Sequence, residues 1–360
     1  MKYLFRFRVL CLLLLVGGNP FTHAQSTEAF ADSIRRVYQL PAINYAVVSA
    51  EQVLEIHALG LKKAKSSLKA ALSDQFRIGS NTKTITSYLA WQLVKQGKIT
   101  WDTRFFDLYP ELKAQSNPAY HAFTLRDLLT FRANLPSWTY TYDRPTLKEV
   151  SGRAQQQRYR FMAWILRQQP VAEQKKIYWS NPAYVAVGLM LEKVSGKEYT
   201  TLVTELGQSL GIELGFGQPN YKDPTQTWGH TEGVVPEKPA DNHKLNWLSS
   251  AGNVKASLPD FVKFVQLHLQ GLLGKSEAFT QAEFEQMHYG AEDFAFGWEW
   301  KTEASYRYSY HRGNPGSFLT KVYVYPHANR AFILFANIQS EQADAGLNVL
   351  LLHLVEQYNR

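Results

Sequence analysis

The chain has 360 residues, 45% of them apolar and 14% aromatic; that supports a large buried core and excludes a mainly disordered protein. The length suits one large domain or two coupled lobes. The formal charge is +8, but three basic residues (Lys2, Arg6 and Arg8) stand without an acid in the first 24; removing them leaves 36 basic against 31 acidic groups, or +5, a mild excess that makes nucleic acid an unexpected partner.

Lys2, Arg6 and Arg8 precede the apolar run Val9 to Val16, and Thr22-His23-Ala24 offers small residues before Gln25. This pattern predicts a secretory signal peptide over residues 1–24, with an apolar run too short to span a bilayer. The single cysteine, Cys11, lies inside that leader. The exported chain is therefore expected to be free of disulfides, thiolate chemistry and cysteine metal sites. No later run is long and apolar enough for a membrane helix, so a soluble protein of the periplasm or the medium is expected.

Thr27 to Leu40 reads as a helix, with Phe30, Ile34 and Val37 at helical spacing. Ile43 to Ala50 and Gln52 to Ala58 read as a β-hairpin. The basic run Lys62, Lys63, Lys65 and Lys69 reads as a solvated hairpin face. From Ser80 to about Gly271 the signals are mostly helical, broken by loops at Asn134 to Asp143 and Gly215 to Asp241. Strand signals return at Tyr306 to Tyr310, Leu319 to Tyr325 and Ala331 to Asn337, with a turn at Pro326 to Arg330. A final helix is capped by Ser340 and shows one apolar face, Ala343, Leu347, Leu350, Leu351, Leu354 and Tyr358. Strands at both ends with helices between them predict an α+β fold: one antiparallel sheet, flanked by the terminal helices, with a mainly helical lobe inserted. The expected sheet lobe is about 25–79 and 245–360, and the helical lobe about 80–244. A cleft between them is the favoured place for a site.

The strongest local signal is Phe76-Arg77-Ile78-Gly79-Ser80-Asn81-Thr82-Lys83, which runs into a helix ending at Gly97. A serine at a helix start with a lysine at i+3 brings ammonium and hydroxyl onto one face, and the positive helix end favours negative charge near Ser80. A serine is a weak nucleophile until a base takes its proton, and a lysine serves as base only when its pKa is lowered. The bare S-x-x-K pattern is weak, because about one chance match is expected at this length. A second copy, Ser66-Ser67-Leu68-Lys69, has no long apolar helix behind it and reads as an exposed turn. The bland reading of Ser80 is an ordinary N-cap.

The run Phe76 to Leu112 resembles the nucleophile helix of the serine β-lactamase and penicillin-binding protein superfamily, in the branch of class C β-lactamases, D-Ala-D-Ala carboxypeptidases and related esterases. The resemblance continues through Thr124 to Thr130 with Asn134-Leu135-Pro136, Trp179 to Tyr184, Ala251 to Val254, Phe296-Gly297-Trp298 and His311 to Gly316. These blocks cover most of the chain in the family's order. The resemblance implies a β-lactamase/transpeptidase-like fold and a serine hydrolase that works through an acyl-enzyme without a cofactor. Ser80 is then the nucleophile and Lys83 its base, with Trp179, Asn181, His311 and Gly313 against the substrate. It further implies an oxyanion hole from the N–H of Ser80 and one near Gly316 or Ser317.

The second element of that branch is Tyr-x-Asn, and here Trp179 stands where the family has tyrosine. An indole N–H donates a hydrogen bond and accepts no proton. Tyr178 is adjacent, but neighbours in an extended loop point apart. Ser180 offers a further hydroxyl, and the bland reading of Ser180 and Asn181 is a helix cap. The third element, His-x-Gly, is matched by His311-Arg312-Gly313, whose glycine suits close approach of a substrate backbone and whose imidazole charge can go either way near neutral pH. His288-Tyr289-Gly290 is a decoy without a suitable following strand. The run Trp138, Tyr140, Tyr142 reads as a packed loop, or else as a wall for an acyl chain. No metal motif and no phosphate loop is present. A small-molecule or peptide substrate is expected, most simply a peptidoglycan-type peptide or small ester. The competing reading is a catalytically impaired protein that binds a ligand in the same cleft.

Overall fold

The computed structural model describes residues 26–171, 177–240 and 242–359, so the leader read in residues 1–24 lies outside the described residues. Six antiparallel strands form the main sheet in the order Val53–Gly60, Ala42–Val48, Arg330–Ala336, Leu319–Tyr325, Tyr306–Gly313 and Glu299–Glu303. The first hairpin therefore pairs with strands almost 300 residues later, with Ile43 opposite Ala336 and Val47 opposite Phe332. Both central strands are buried on both faces.

Alternation along these strands divides the core. Tyr45, Val47, Phe332 and Leu334 point toward the terminal helices Thr27–Val37 and Glu341–Tyr358, where they meet Ile34, Leu347 and Leu350. Ala46, Val48, Ile333 and Phe335 point the other way, into the larger core with Phe76, Phe261 and Val265. Successive side chains on a strand face opposite sides, so one short sequence feeds two cores; each buried large side chain contributes about 1.5–3 kcal/mol. Ser340 caps the last helix by accepting the Ala343 N–H at 3.0 Å. Helices Thr82–Lys95, Asn181–Ser195 and Tyr199–Leu210 pack together on the far side of the sheet. The fold is thus the α+β arrangement expected from the ends of the chain.

Two features were not read from the sequence. Glu299–Glu303 is a sheet-edge strand whose residues are half-buried to exposed; its charged composition is how edges are kept from pairing further, and it hides the strand signal. A second sheet joins Gln75–Arg77, Val254–Ser257 and Leu214–Phe216, tying the approach to Ser80 to segments far along the chain. The basic run is also less solvated than expected: Lys62 pairs with Asp74 at 2.7 Å, and Lys63 lies 3.6 Å above the Trp228 ring.

Gly313 ends the strand Tyr306–Gly313 against the segment that leads to Ser80. A Cβ there would stand 1.9 Å from the Ile78 carbonyl oxygen and 2.3 Å from Thr320 Oγ1. The glycine is therefore required by the protein's own backbone, a reason independent of the close substrate approach read from the sequence. Gly313→Ala is expected to cost about 3 kcal/mol, since overpacking against backbone finds no room to relax. A thermal melt should fall by several degrees; an unchanged midpoint would show that the strand and the Ser80 segment can move apart freely.

Candidate active site

Gly79–Asn81 forms one tight turn that runs directly into the helix Thr82–Lys95. Gly79 has φ +54°, and a Cβ there would lie 2.7 Å from the Asn314 backbone nitrogen, so glycine admits the loop after Gly313. Asn81 Nδ2 donates to Thr320 Oγ1 at 2.8 Å, and Thr320 Oγ1 donates to the Ile78 carbonyl at 2.9 Å. The turn is thereby fastened to the sheet. No side chain caps this helix by a hydrogen bond. Ser80 is not an N-cap; its Oγ accepts from Lys83 Nζ at 3.0 Å.

Lys83 is 2% exposed, and its Nζ reaches two further acceptors, Asn181 Oδ1 at 2.9 Å and the Ala251 carbonyl at 2.8 Å. Burial alone pulls its pKa down to about 7, because an ammonium ion loses its hydration there. A neutral amine has two N–H donors and one lone pair. In this cage it can donate to Asn181 and Ala251 and accept the Ser80 proton. Gly297 crosses the lysine backbone closely, with its Cβ position 2.8 Å from the Lys83 carbonyl oxygen.

Asn181 begins the helix Asn181–Ser195. Ser180 caps it by accepting the Ala183 N–H at 3.3 Å and donates to the Pro136 carbonyl at 3.0 Å. The capping reading therefore fits Ser180, whose hydroxyl is committed to the loop. Asn181 turns to Lys83 and donates its Nδ2 to the Trp138 carbonyl at 2.9 Å. Trp179 is 46% exposed; its ring centroid lies 5.0 Å from those of Phe131 and Phe294 and 6.5 Å from that of His311.

The aromatic loop divides in three. Trp138 is fully buried against Phe161 and Trp247, Tyr142 is exposed, and the Tyr140 hydroxyl lies against Gly316, 1.8 Å from where a Cβ would be. Burial raises the Tyr140 pKa, with Arg77 and Glu237 acting in opposite senses.

His311 lies on the strand Tyr306–Gly313 opposite Val322 and is 1% exposed. Burial, and then the nearby Lys83, push its pKa down to about 3, although the Ser80 backbone favours the proton. The imidazole is neutral near pH 7, where the sequence left its charge open. Gly316 gives its N–H to Asn314 Oδ1 at 3.0 Å, which corrects the expectation of Gly316 as an oxyanion donor.

The decoys separate cleanly. Ser66 Oγ donates to the Lys63 carbonyl at 2.8 Å and accepts from Leu68 N, an ordinary turn. His288 is buried, stacked on Trp298, and bonded to His268 and Ser309. Sequence reasoning missed the Ala251 carbonyl, although its block was noted, and missed Phe131 and Phe294, which carry no motif. Among the described residues no group of three or more metal-ligating side chains occurs, and no helix is long and apolar enough to cross a membrane.

A family model described as "Beta-lactamase" matches residues 28–356. The protein flp of Staphylococcus aureus (strain NCTC 8325 / PS 47) is 22% identical over 310 residues, covering 84% of this chain and 60% of that protein. The chain thus spans about three fifths of that relative's length. A class C beta-lactamase from Rhodobacter sphaeroides superposes with TM-score 0.72 at 17% identity, covering 92% of this chain and 100% of that one. The D-alanine carboxypeptidase AmpC from Burkholderia cenocepacia superposes with TM-score 0.70 at 18% identity, covering 89% and 96%.

Proposed function

The chain belongs to the beta-lactamase family, and from that premise we propose that it is an exported serine hydrolase acting on an amide or ester through an acyl-enzyme. One observation carries the reading: Lys83 Nζ lies 3.0 Å from Ser80 Oγ, with burial holding its pKa down to about 7. A base with that pKa is matched to work near neutral pH. Ser80 Oγ attacks the carbonyl carbon while Lys83 takes its proton. The tetrahedral oxyanion is held by the N–H of Ser80 and by that of Asn314, whose nitrogen lies beside Gly79 and which we put in this role in place of the Gly316 or Ser317 donor that the resemblance implied. Lys83 returns the proton to the leaving nitrogen or oxygen as the bond breaks, and water then releases the acyl group.

Asn181 holds Lys83 and the substrate amide, and His311 faces the same space as a neutral donor or acceptor. In the division read from the sequence, this site falls between the helical lobe, about 80–244, and the sheet lobe, about 25–79 and 245–360. A peptidoglycan-type peptide is the first substrate class we put forward, in line with the D-alanine carboxypeptidase neighbour, and a small ester is the second. The leader read in residues 1–24 supports export to the periplasm or medium, where a peptidoglycan-type substrate would be met.

Trp179 favours a second reading, a protein that binds a ligand in this cleft without turnover, because an indole cannot replace a tyrosine base. Labelling with a fluorophosphonate probe, followed by peptide mass spectrometry, tests the first reading. The adduct is expected on Ser80 and not on Ser66. Absence of an adduct, with wild-type turnover no higher than that of Ser80→Ala across ester and D-peptide panels, would overturn the hydrolase reading in favour of the binder.

A further inference from the structure

Trp179 is the unusual residue of this site, and its surroundings say what it is for. Trp179 is 46% exposed, and what sets it apart from other exposed apolar side chains is its place, two residues before Asn181, which touches Lys83, with its ring centroid 6.5 Å from that of His311. The indole is held firmly. One residue on, Ser180 is fixed by its bond to Pro136. Behind the indole lie Phe131 and Phe294, 1% and 0% exposed, with their own centroids 4.4 Å apart.

The backing is also built at a cost. Phe131 has φ +58°, an uncommon conformation for a bulky residue, and such strain persists only where the surroundings impose it. Its carbonyl accepts the Tyr178 N–H at 2.9 Å. Arg132 bridges the two loops by donating to the Thr130 and Glu292 carbonyls at 2.7 and 3.0 Å. The His311 ring, 5.9 Å from Phe294 by centroids, closes the same corner beside Ser80.

Resting on the hydrolase reading above, we propose that Trp179, backed by Phe131 and Phe294, is the specificity-determining wall of the Ser80 site. It takes an uncharged aromatic or aliphatic group carried next to the scissile ester or amide and disfavours a carboxylate in that place. Aromatic faces carry negative charge density, so they attract an apolar ring in offset or edge contact and offer nothing to an anion. The neutral His311 adds no positive charge. A wall of this kind discriminates by burial alone, which for one apolar group amounts to roughly 10- to 100-fold.

The test uses ethanethiol thioesters of phenylacetate and succinate, followed by thiol release, with a matched pair carrying the ring or the carboxylate on the thiol side. The wild type is expected to prefer the ring over the carboxylate by roughly 10-fold or more in at least one pair, mainly through KM. Trp179→Ala should collapse that ratio, and Trp179→Phe should keep most of it. Because a ratio is read within one preparation, partial misfolding does not mimic the effect. Ser80-dependent turnover with the same ratio in Trp179→Ala, or a wild-type preference for the carboxylate in both pairs, would overturn the wall alone. No Ser80-dependent turnover in the wild type would overturn the hydrolase reading and the wall with it.

Discussion

Ser80→Ala is expected to abolish hydrolysis, with kcat/KM on a reactive ester falling by about 10⁴-fold or more, to the background rate. The substitution removes one oxygen and leaves the cage standing: Lys83 keeps its bonds to Asn181 and Ala251, and the turn keeps its ties to Thr320. Loss of a single hydrogen bond is worth about 1 kcal/mol, so the thermal midpoint should move by only a few degrees. Steady-state assays and a melt on the same preparation separate the two effects. Ser66→Ala should behave as wild type, because that hydroxyl only closes its own turn. Residual Ser80→Ala activity above about one hundredth of wild type, a far smaller loss than removing a nucleophile causes, would remove Ser80 from the nucleophile's role.

Lys83→Met is expected to lower kcat/KM by about 10²- to 10⁴-fold, the usual range for a general base, while methionine fills the same buried space. The wild-type pH dependence gives an independent reading of the same group. Burial disfavours the ammonium and brings the pKa down to about 7, so the reactive neutral amine gains population as pH rises through that value. Acylation should rise about tenfold per unit on the acid side and level off above about pH 8. His311, its pKa pushed down to about 3 by burial and the nearby Lys83, stays neutral between pH 5 and 9 and contributes no limb in this window. Trp179 does not titrate. The ascending limb should vanish in Lys83→Met. A wild-type profile flat from pH 5 to 9, or a limb that survives in the variant, would assign the proton transfer to a different group.

The sequence by itself determined whatever rests on short-range geometry or on an unbroken apolar rhythm. A serine and a lysine three positions apart at a helix start share one face in any fold, so the Ser80–Lys83 contact was legible without neighbours. The continuous apolar run in Ala331 to Asn337 and the apolar face after Ser340 announced a buried strand and a packed helix for the same local reason. The order of motif blocks along the chain carried the family, and the strand signals at its two ends carried the α+β architecture.

Only the tertiary structure decided the chemistry of those residues. Lys83 becomes a base through burial and through Asn181 and Ala251, which stand 98 and 168 residues away; no window of sequence contains that environment. Gly313 answers to the Ile78 carbonyl, and Trp138 turns inward while Trp179 faces out, although both are tryptophans in cleft-side loops. Glu299–Glu303 forms a strand because a sheet edge was available to it, against its own charged composition. Helix and strand periods are set by the backbone within a few residues. Burial, desolvation and close backbone approach are set by whatever the rest of the chain brings alongside.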